Sequence, residues 1–404
     1  MHFTYKTKNA RDIYKCMLAI TIFIFALYLR LRMIAAISHI LSHDAINYDA
    51  MARQFLNNGV LGYMSQKPNA YVTPGYPIFL SVIYSIFGYD SASRFMQVRV
   101  AQAVLGAATC ILIFAIAKRL FNSRASIFAL FISAVYPTFV WAPSLILTEV
   151  LYTFLFVLYI YIQIYAIDKS TKFSSILSGA VFALAVLVRP LMFPLFFIPF
   201  IMHYLTTGNK TAFRQLAAAI IGVVLTMMPW WIRNYISLHK IVVLATQTGN
   251  PLIAGTFPYF THIDYSRYQV ENQFAEGLRL IWNGFISNPM LYLKWYTVGK
   301  FNYIFGKMWL DMPAEATFMR SFTFIHYFIV VMGWLGAVFT IIKKKLNIIS
   351  VFLVALTIMQ LAFVPEPRYA YALMPLLIIL AAYLTDYIFW GSKPLTDAYK
   401  QTYG

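Results

Sequence analysis

The chain has 404 residues, of which 61% are hydrophobic and only 11% are charged, and its formal net charge is +18. This apolar content exceeds what one soluble core would bury, so the composition excludes an ordinary soluble domain and indicates a helical membrane protein with several spans. The Lys and Arg residues lie at the ends of apolar segments and not in one stripe, which argues against nucleic acid as a partner. Cys16 and Cys110 lie inside apolar runs, which argues against a disulfide or a metal site.

Membrane spans are expected where roughly 17 to 25 mainly apolar residues follow one another, because a helix of that length crosses about 30 Å of hydrocarbon. The sequence therefore predicts an all-α, polytopic transmembrane helix bundle of about ten spans. The predicted spans are residues 14–36, 95–117, 125–142, 147–167, 174–189, 191–206, 214–231, 321–342, 347–364 and 370–390.

The apolar segment 75–88 is a different case. A helix of its length reaches only about 21 Å, so it is expected to lie beside the membrane or to re-enter it. Leaving it out places every short basic loop on one face, as the positive-inside rule requires. Both termini are thus predicted to be cytoplasmic, in a multi-pass protein of the plasma membrane, which in a bacterium is the inner membrane. The loops on the cytoplasmic face are the N-terminal tail, 118–124, 168–172, 207–214, 343–345 and the C-terminal tail.

Two long segments, 37–94 and 232–320, remain on the outer side. Ten of the 14 acidic residues are expected on this side, so any chemistry is predicted to face outward. Both loops are expected to contain juxtamembrane helices, and the Tyr, Trp and Lys content of 288–309 is typical of a helix in the membrane interface. No repeat or flexible linker divides the chain, which predicts a single membrane domain, 1–404.

The first outer loop opens with "SHDAINYDAMARQFLNNG", residues 42–59. If this stretch is a helix, Asp44 and Tyr48 share one face, while Asp49 and Arg53 form an i, i+4 pair on another. Asp44 lies at the helix start, where it is either an N-cap or a functional carboxylate. For Asp49 the sequence favours a solvated ion pair with Arg53.

Glu149, in "LTEVLY", is predicted at the outer end of the fourth span. A carboxylate near hydrocarbon is costly, so it serves either a cap or ion pair or, as we favour, a function. Snorkelling explains any single arginine at a span end, but several around one mouth favour a site for an anion. The arginines predicted at outer ends of spans are Arg94, Arg99, Arg189, Arg233 and Arg368.

Further motifs follow in a characteristic order. They are "YVTPGYPIFL" at 71–80, "YPTFVWAPSLILTEVLY" at 136–152, "LVRPLMFP" at 187–194, "RNY" at 233–235 and "PEPRYAYALMPLL" at 365–377. This succession resembles the GT-C class of polytopic glycosyltransferases. Within that class it is most similar to the bacterial branch of the dolichyl-phosphate-mannose protein mannosyltransferase family, which includes aminoarabinose-to-lipid-A transferases. The resemblance covers nearly the whole chain and rests on the joint order of motifs that are individually weak.

The resemblance implies a role for Asp44. In the family an Asp near the start of a juxtamembrane helix is followed four residues on by Tyr and later by a Pro-Gly turn, and Asp44, Tyr48 and Pro74-Gly75 match this pattern. The chain departs from it twice. Ala45 follows Asp44 where many members have an acidic pair, and Thr73 stands where aminoarabinose transferases have a Lys. The acceptor preference is therefore not carried over, and the phosphate partner must be another residue.

The implied function is an inverting glycosyltransferase that moves a sugar from a polyprenyl-phosphate donor to an acceptor hydroxyl at the outer face. Lipid A, a cell-envelope glycan, a lipid-linked saccharide or a protein could each be the acceptor. Asp44 is expected to take the acceptor proton, with Glu149 orienting the acceptor or assisting. Arginines are expected to stabilise the departing phosphate, Arg94 and Arg368 first. The predicted substrate-binding residues are Tyr48, Arg94, Arg99, Arg189, Arg233, Arg368 and Tyr369.

No nucleotide site is expected, because the chain has no Gly-rich phosphate loop. A divalent metal is optional, since no clustered ligand set is evident. Two alternative functions stay open. A transporter or lipid flippase would place charges near span centres and show internal symmetry. An outer-leaflet oligosaccharide polymerase or ligase would share the substrates but not this succession of motifs.

Overall fold

The computed structural model describes residues 2–37, 41–91, 93–247, 249–310, 320–343 and 347–391. Within these ranges the chain forms α-helices, short 3₁₀ and π turns and no β-strand, which confirms the all-α prediction. The predicted C-terminal tail, Lys344 and Lys345 lie outside the described residues. The helices are α1 (His2–Ala36), α2 (His43–Asn58), α3 (Gly75–Phe87), α4 (Ser93–Leu120), α5 (Ser123–Val135), α6 (Pro137–Trp141), α7 (Glu149–Lys169), α8 (Lys172–Val188), α9 (Ile198–Thr207), α10 (Thr211–Leu238), α11 (Gly249–Ala254), α12 (Gln273–Ser287), α13 (Pro289–Lys294), α14 (Lys300–Phe305), α15 (Thr323–Ile342), α16 (Ile348–Ala362) and α17 (Met374–Trp390).

The helices include enough long apolar segments to make this a multi-pass membrane protein. Across the described ranges, six helical segments are long and apolar enough to cross a membrane, and a bent pair over 123–144 makes up to seven. The other three predicted spans are the shorter apolar helices α8, α16 and α17. All ten predicted segments are helical, but the count of ten spans is not confirmed. The omitted segment 75–88 forms the short helix α3.

The bent pair leads the chain towards Glu149. Helix α5 ends at Val135 and α6 begins at Pro137 with a bend of 57°, because the residue before a proline disfavours helical backbone. Side chains of α4 then fix the segment that follows. The Arg99 Nε donates to the Ser144 carbonyl at 2.7 Å, and the Gln102 amide donates to the Pro143 and Leu145 carbonyls. The approach to α7 is therefore held by hydrogen bonds rather than by packing alone.

A second break positions Arg189. Helix α8 stops at Val188, and Arg189 is extended (φ −143°, ψ 116°) because Pro190 follows it. The start of α3 packs against this end of α8. The Thr73 hydroxyl donates to the Val188 carbonyl at 3.3 Å, and a Cβ on Gly75 would lie 2.6 Å from the Leu187 carbonyl oxygen. The Thr-Pro-Gly turn thus docks directly beside Arg189.

Helix α17 forms the centre of the bundle. Its residues from Met374 to Asp386 are all buried. On α15, Gly333 and Gly336 face Leu377 and Leu380 so closely that a Cβ at either glycine would clash. Small residues at helix interfaces allow such close backbone approach in membrane bundles.

The two outer loops are joined to each other. The Thr246 and Gln247 amides donate to the carbonyls of Ala70 and Tyr71 at 2.9 and 3.1 Å. Arg233 donates to the Asn69 carbonyl at 2.9 Å and also to the Leu61 carbonyl. The two loops therefore form one cover over the same end of the bundle.

Candidate active site

A cavity of about 410 Å³ opens where the outer loops meet the ends of α7, α8 and α16. Six of the nine predicted site residues line it, whereas Arg94, Arg99 and Arg233 lie outside the lining. Most of the remaining wall is apolar. The six lining residues are Asp44, Tyr48, Glu149, Arg189, Arg368 and Tyr369.

Asp44 lies in the first turn of α2, but it is not the N-cap. Ser42 takes that role, because its hydroxyl accepts from the Ala45 amide at 3.2 Å, so the cap alternative for Asp44 is wrong. The Asp44 carboxylate instead accepts from the Tyr63 hydroxyl at 3.3 Å and from Arg368 at 3.4 Å. Its side chain is 42% exposed, which leaves it accessible to a substrate in the cavity.

Glu149 begins α7 and is buried. Its Oε1 accepts from Arg189 Nη1 at 3.2 Å, and its Oε2 accepts from the Thr148 hydroxyl at 3.3 Å. The ion pair and the position in the first helical turn both compensate the cost of burying the carboxylate. The predicted ion-pair alternative for Glu149 is therefore present, in a position that also faces the cavity.

The two cavity arginines are arranged around one aromatic ring. The guanidinium carbons of Arg189 and Arg368 lie 5.1 and 5.2 Å from the centroid of the Tyr369 ring. Arg368 also contacts Glu366 at 2.6 Å. Burial lowers the pKa of Arg368, but the neighbouring Tyr369 and carboxylates raise it by a larger amount. The pKa of Arg368 is therefore above its usual value, and the residue stays charged. The pair presents two fixed positive charges to the cavity.

A cluster of tyrosines supports Asp44. The Tyr63 ring lies 5.5 Å from that of Tyr48 and stacks on Tyr71 at 5.7 Å. Burial, followed by the charge of Asp44, raises the pKa of Tyr63 to about 12. The Tyr63 hydroxyl therefore stays protonated and donates to Asp44, and burial likewise raises the pKa of Tyr48.

Arg94 lies in a separate buried network. Its guanidinium contacts Asp49 at 2.9 Å, and Asp49 also accepts from Arg53 at 3.0 Å and from the Tyr84 hydroxyl at 2.8 Å. The predicted pair of Asp49 with Arg53 is confirmed, but Asp49 is buried, so the expectation of a solvated pair is wrong. The network ties α2, α3 and α4 together.

Among the polar groups that sequence reasoning missed are Tyr63 and Glu366, which pair with Asp44 and Arg368. Tyr63 reaches Asp44 because Gly59 ends α2 in a left-handed conformation (φ 68°) and turns the chain back. Helical spacing carries no signal for such a turn. Glu366 is extended and immediately precedes the 3₁₀ turn 367–370, and this change of backbone conformation brings its carboxylate to Arg368.

The charged residues of the cavity offer few ligands for a metal ion. Among the described residues, no group of three or more His, Cys, Asp or Glu side chains is close enough to hold a metal ion. Two carboxylates line the cavity, and each already pairs with an arginine. These residues alone do not make up a complete metal-binding set.

Comparison with known proteins relates this helix bundle to the GT-C fold. Residues 67–232 match the family model described as dolichyl-phosphate-mannose-protein mannosyltransferase. This match and the solved structures described next confirm the predicted resemblance. No curated protein sequence matches the chain.

Three solved structures share the fold. ArnT from Cupriavidus metallidurans, bound to undecaprenyl phosphate, aligns with a TM-score of 0.54 and 15% identity over 97% of this chain and 62% of its own. The oligosaccharyltransferase of Archaeoglobus fulgidus, in complex with Zn and sulfate, aligns with a TM-score of 0.54 and 13% identity over 91% and 49%. The oligosaccharyltransferase AglB of Archaeoglobus fulgidus, with an inhibitory peptide and a dolichol-phosphate, aligns with a TM-score of 0.50 and 12% identity over 96% and 52%. The chain thus spans between about half and three fifths of these proteins.

Proposed function

We propose that the protein is an inverting glycosyltransferase that moves a sugar from a polyprenyl-phosphate donor to an acceptor hydroxyl at the outer face of the membrane. The observation that carries this proposal is the pairing of Asp44 with Arg368 at 3.4 Å in one cavity with Arg189. A base for the acceptor and cations for the leaving phosphate are therefore side by side. The undecaprenyl phosphate bound to ArnT supports the class of donor.

The reaction is a single displacement. Asp44 takes the proton from the acceptor hydroxyl while the acceptor oxygen bonds to the anomeric carbon. The bond between that carbon and the phosphate oxygen breaks, and the phosphate leaves on its lipid with one more negative charge. Arg189 and Arg368 stabilise this charge as it develops. One displacement inverts the anomeric configuration.

The charge of the cavity favours a monophosphate donor over a diphosphate. The charged lining residues are two arginines and two carboxylates, which balance each other. A sugar phosphodiester brings one negative charge, whereas a diphosphate brings two and calls for further cations. Loss of the proton from the acceptor to Asp44 then neutralises one carboxylate as the phosphate gains charge.

The size of the cavity favours a single sugar. Its volume of about 410 Å³ lies near the lower end of ligand pockets, which span roughly 300 to 1,000 Å³. Residues such as Leu191, Phe193 and Leu356 make an apolar wall on one side. That wall suits the first isoprene units, and the polar side suits one sugar and its phosphate.

The test supplies purified protein with a panel of radiolabelled undecaprenyl-phosphate sugars and candidate acceptors in vesicles. Wild type is expected to transfer label to one acceptor class, and Asp44→Asn is expected to lose at least a hundredfold of the rate. Asp264→Asn, in the second outer loop, is the matched control because Asp264 lies outside the cavity lining.

Three results would contradict the proposal. Transfer retained in Asp44→Asn would remove Asp44 from the base role. Movement of the labelled lipid across the bilayer without transfer would favour a flippase. Strict dependence on a diphosphate-linked oligosaccharide would favour a polymerase or ligase.

A further inference from the structure

Lys300 is a buried lysine in the second outer loop. Its side chain is 0% exposed, and its Nζ lies 3.7 Å from the centroid of the Tyr296 ring. The amino group donates to the carbonyls of Leu361, Ala362 and Phe363 at 2.8, 3.4 and 3.0 Å. These carbonyls lie at the end of α16, and the last carbonyls of a helix have no backbone N–H partner within the helix. Lys300 therefore caps α16 from another part of the chain.

The local backbone aims Lys300 at this position. A π-helical turn over 295–299 separates α13 from α14 and ends immediately before Lys300. A π turn inserts one extra residue into the helix and rotates the residues that follow it. The Trp295 indole N–H donates to the Gly255 carbonyl at 2.9 Å, which fixes the turn against α11.

The segment that Lys300 caps continues directly into the cavity. Gln360 and Phe363 line it, and the chain then reaches Glu366 and Arg368. The Val364 amide donates to the Pro251 carbonyl at 2.9 Å, and α14 packs against the 3₁₀ turn 367–370 that contains Arg368. The second outer loop thus holds residues 361–370 from both sides.

The backbone at Gly255 also lies very close to the backbone at Phe363 and Val364. A Cβ on Gly255 would lie 2.6 Å from the Phe363 carbonyl carbon and 2.8 Å from the Val364 nitrogen. Any side chain at residue 255 would therefore push the segment away. Lys300 and Gly255 act on the same few residues by independent means.

We propose that Lys300 is a positioning residue that sets the place of Arg368 in the cavity by holding the second outer loop on the end of α16. The inference rests on the proposed function, because it assigns Lys300 to the binding of the donor phosphate through Arg368. Lys300 does not line the cavity, so it acts on the substrate only through this segment.

The test compares Lys300→Met, Gly255→Ala and Gln163→Leu with wild type. Methionine matches the aliphatic part of lysine in length and removes the amino donor, whereas Gly255→Ala displaces the same segment and keeps Lys300. The control, Gln163→Leu, removes a buried hydrogen bond to Ser178 in α8, at a position about 21 Å along α7 from Glu149. Two quantities are measured for each chain: binding of undecaprenyl phosphate in nanodiscs, and hydrogen–deuterium exchange of residues 361–370.

Lys300→Met and Gly255→Ala are expected to bind the lipid about tenfold more weakly, because a displaced arginine loses its charge-assisted contacts with the phosphate. Exchange of the Val364 amide should rise in both variants and not in Gln163→Leu. Unchanged affinity and exchange in both variants, with a wild type that binds, would overturn the role of Lys300. A wild type that does not bind the lipid would overturn the proposed function, and the exchange data would then still decide whether Lys300 holds the segment.

Discussion

The charged residues of the cavity are paired with each other. Glu149 contacts Arg189 at 3.2 Å, and Asp44 contacts Arg368 at 3.4 Å. Under the proposed function, a donor phosphate competes with a carboxylate for each guanidinium. Binding of the donor would loosen Asp44 from Arg368, so the base would become available when the sugar is in place.

This competition predicts that the carboxylate variants bind lipid phosphate more tightly. Removing the charge of Asp44 frees Arg368, and because that pair is partly exposed the gain should be about two- to fivefold in affinity for undecaprenyl phosphate. Glu149→Gln should give a larger gain, because its pair is buried. The measurement is a lipid titration of Asp44→Asn, Glu149→Gln and the control Asp264→Asn. Weaker binding in both cavity variants would contradict the idea of competition.

Two arginines that sequence reasoning treated alike should behave in opposite ways. Arg94 pairs with buried Asp49, whereas Arg368 lines the cavity. Arg94→Gln leaves a buried carboxylate without its main partner, so it should lower the free energy of unfolding by about 3 kcal/mol and leave lipid affinity nearly unchanged. Arg368→Gln should weaken lipid binding with a smaller effect on stability. Thermal unfolding and lipid titration of both variants test this, and strong loss of affinity in Arg94→Gln would return Arg94 to the site.

At the scale of elements, the sequence predicts one of the two helix breaks and neither of their consequences. Two predicted spans meet at Pro190, where the structure has a break, whereas the predicted span 125–142 runs through Pro137, where the structure bends by 57°. The sequence does not reveal that Arg99 donates a hydrogen bond to a carbonyl of the segment after the bend at Pro137. Arg94 likewise forms an ion pair with Asp49, which is buried where α3 packs on α2. Arginine roles depend on such tertiary contacts, so span-end position alone did not separate them.

Helix α12 carries an exposed apolar stripe. Phe274, Leu278, Trp282 and Ile286 recur every four residues, and the Trp282 side chain is 68% exposed. A stripe of this kind on an outer loop suits a helix that lies in the membrane interface. The interfacial position predicted for 288–309 is therefore expected for α12 as well.

The stripe predicts that Trp282 contacts lipid. In nanodiscs with brominated acyl chains, tryptophan emission should be quenched more in wild type than in Trp282→Phe, because bromine quenches only rings in contact with the chains. Trp141 is buried and serves as the control, since Trp141→Phe should leave the absolute emission lost to quenching unchanged. Equal quenching in wild type and Trp282→Phe would place α12 in water.

At the scale of the whole molecule, hydropathy predicts where the helices lie but not how many of them cross the membrane. Each predicted segment is helical, because long apolar runs leave few alternatives in a bilayer. Helices α8, α16 and α17 are short in the structure, since Pro190, the extended residues after Ala362 and the turns before Met374 interrupt them. The cavity lies at these interruptions, so the features that blurred the span count are the ones that build the site.

The stability of the whole molecule should depend on pH through Lys300. Burial lowers the pKa of Lys300 from 10.5 to about 6, whereas the three carbonyls and the Tyr296 ring favour the ammonium. Burial outweighs these contacts, so between about pH 6 and 10.5 the unfolded chain binds a proton that the folded chain lacks, and folded Lys300 keeps two N–H donors for the carbonyls of Leu361 and Phe363. Stability is then fullest above pH 10.5 and falls as the pH falls towards 6, by up to about 1.4 kcal/mol per pH unit.

The comparison with Lys300→Met isolates this dependence, because all other titrating groups are shared. Unfolding temperatures measured from pH 6 to 9 should rise more steeply with pH in wild type than in the variant. Parallel profiles would show that the carbonyls of α16 keep Lys300 charged over this range. Lys300 would then act at the end of α16 as a fixed cation, which strengthens its attraction to the negative end of the helix dipole.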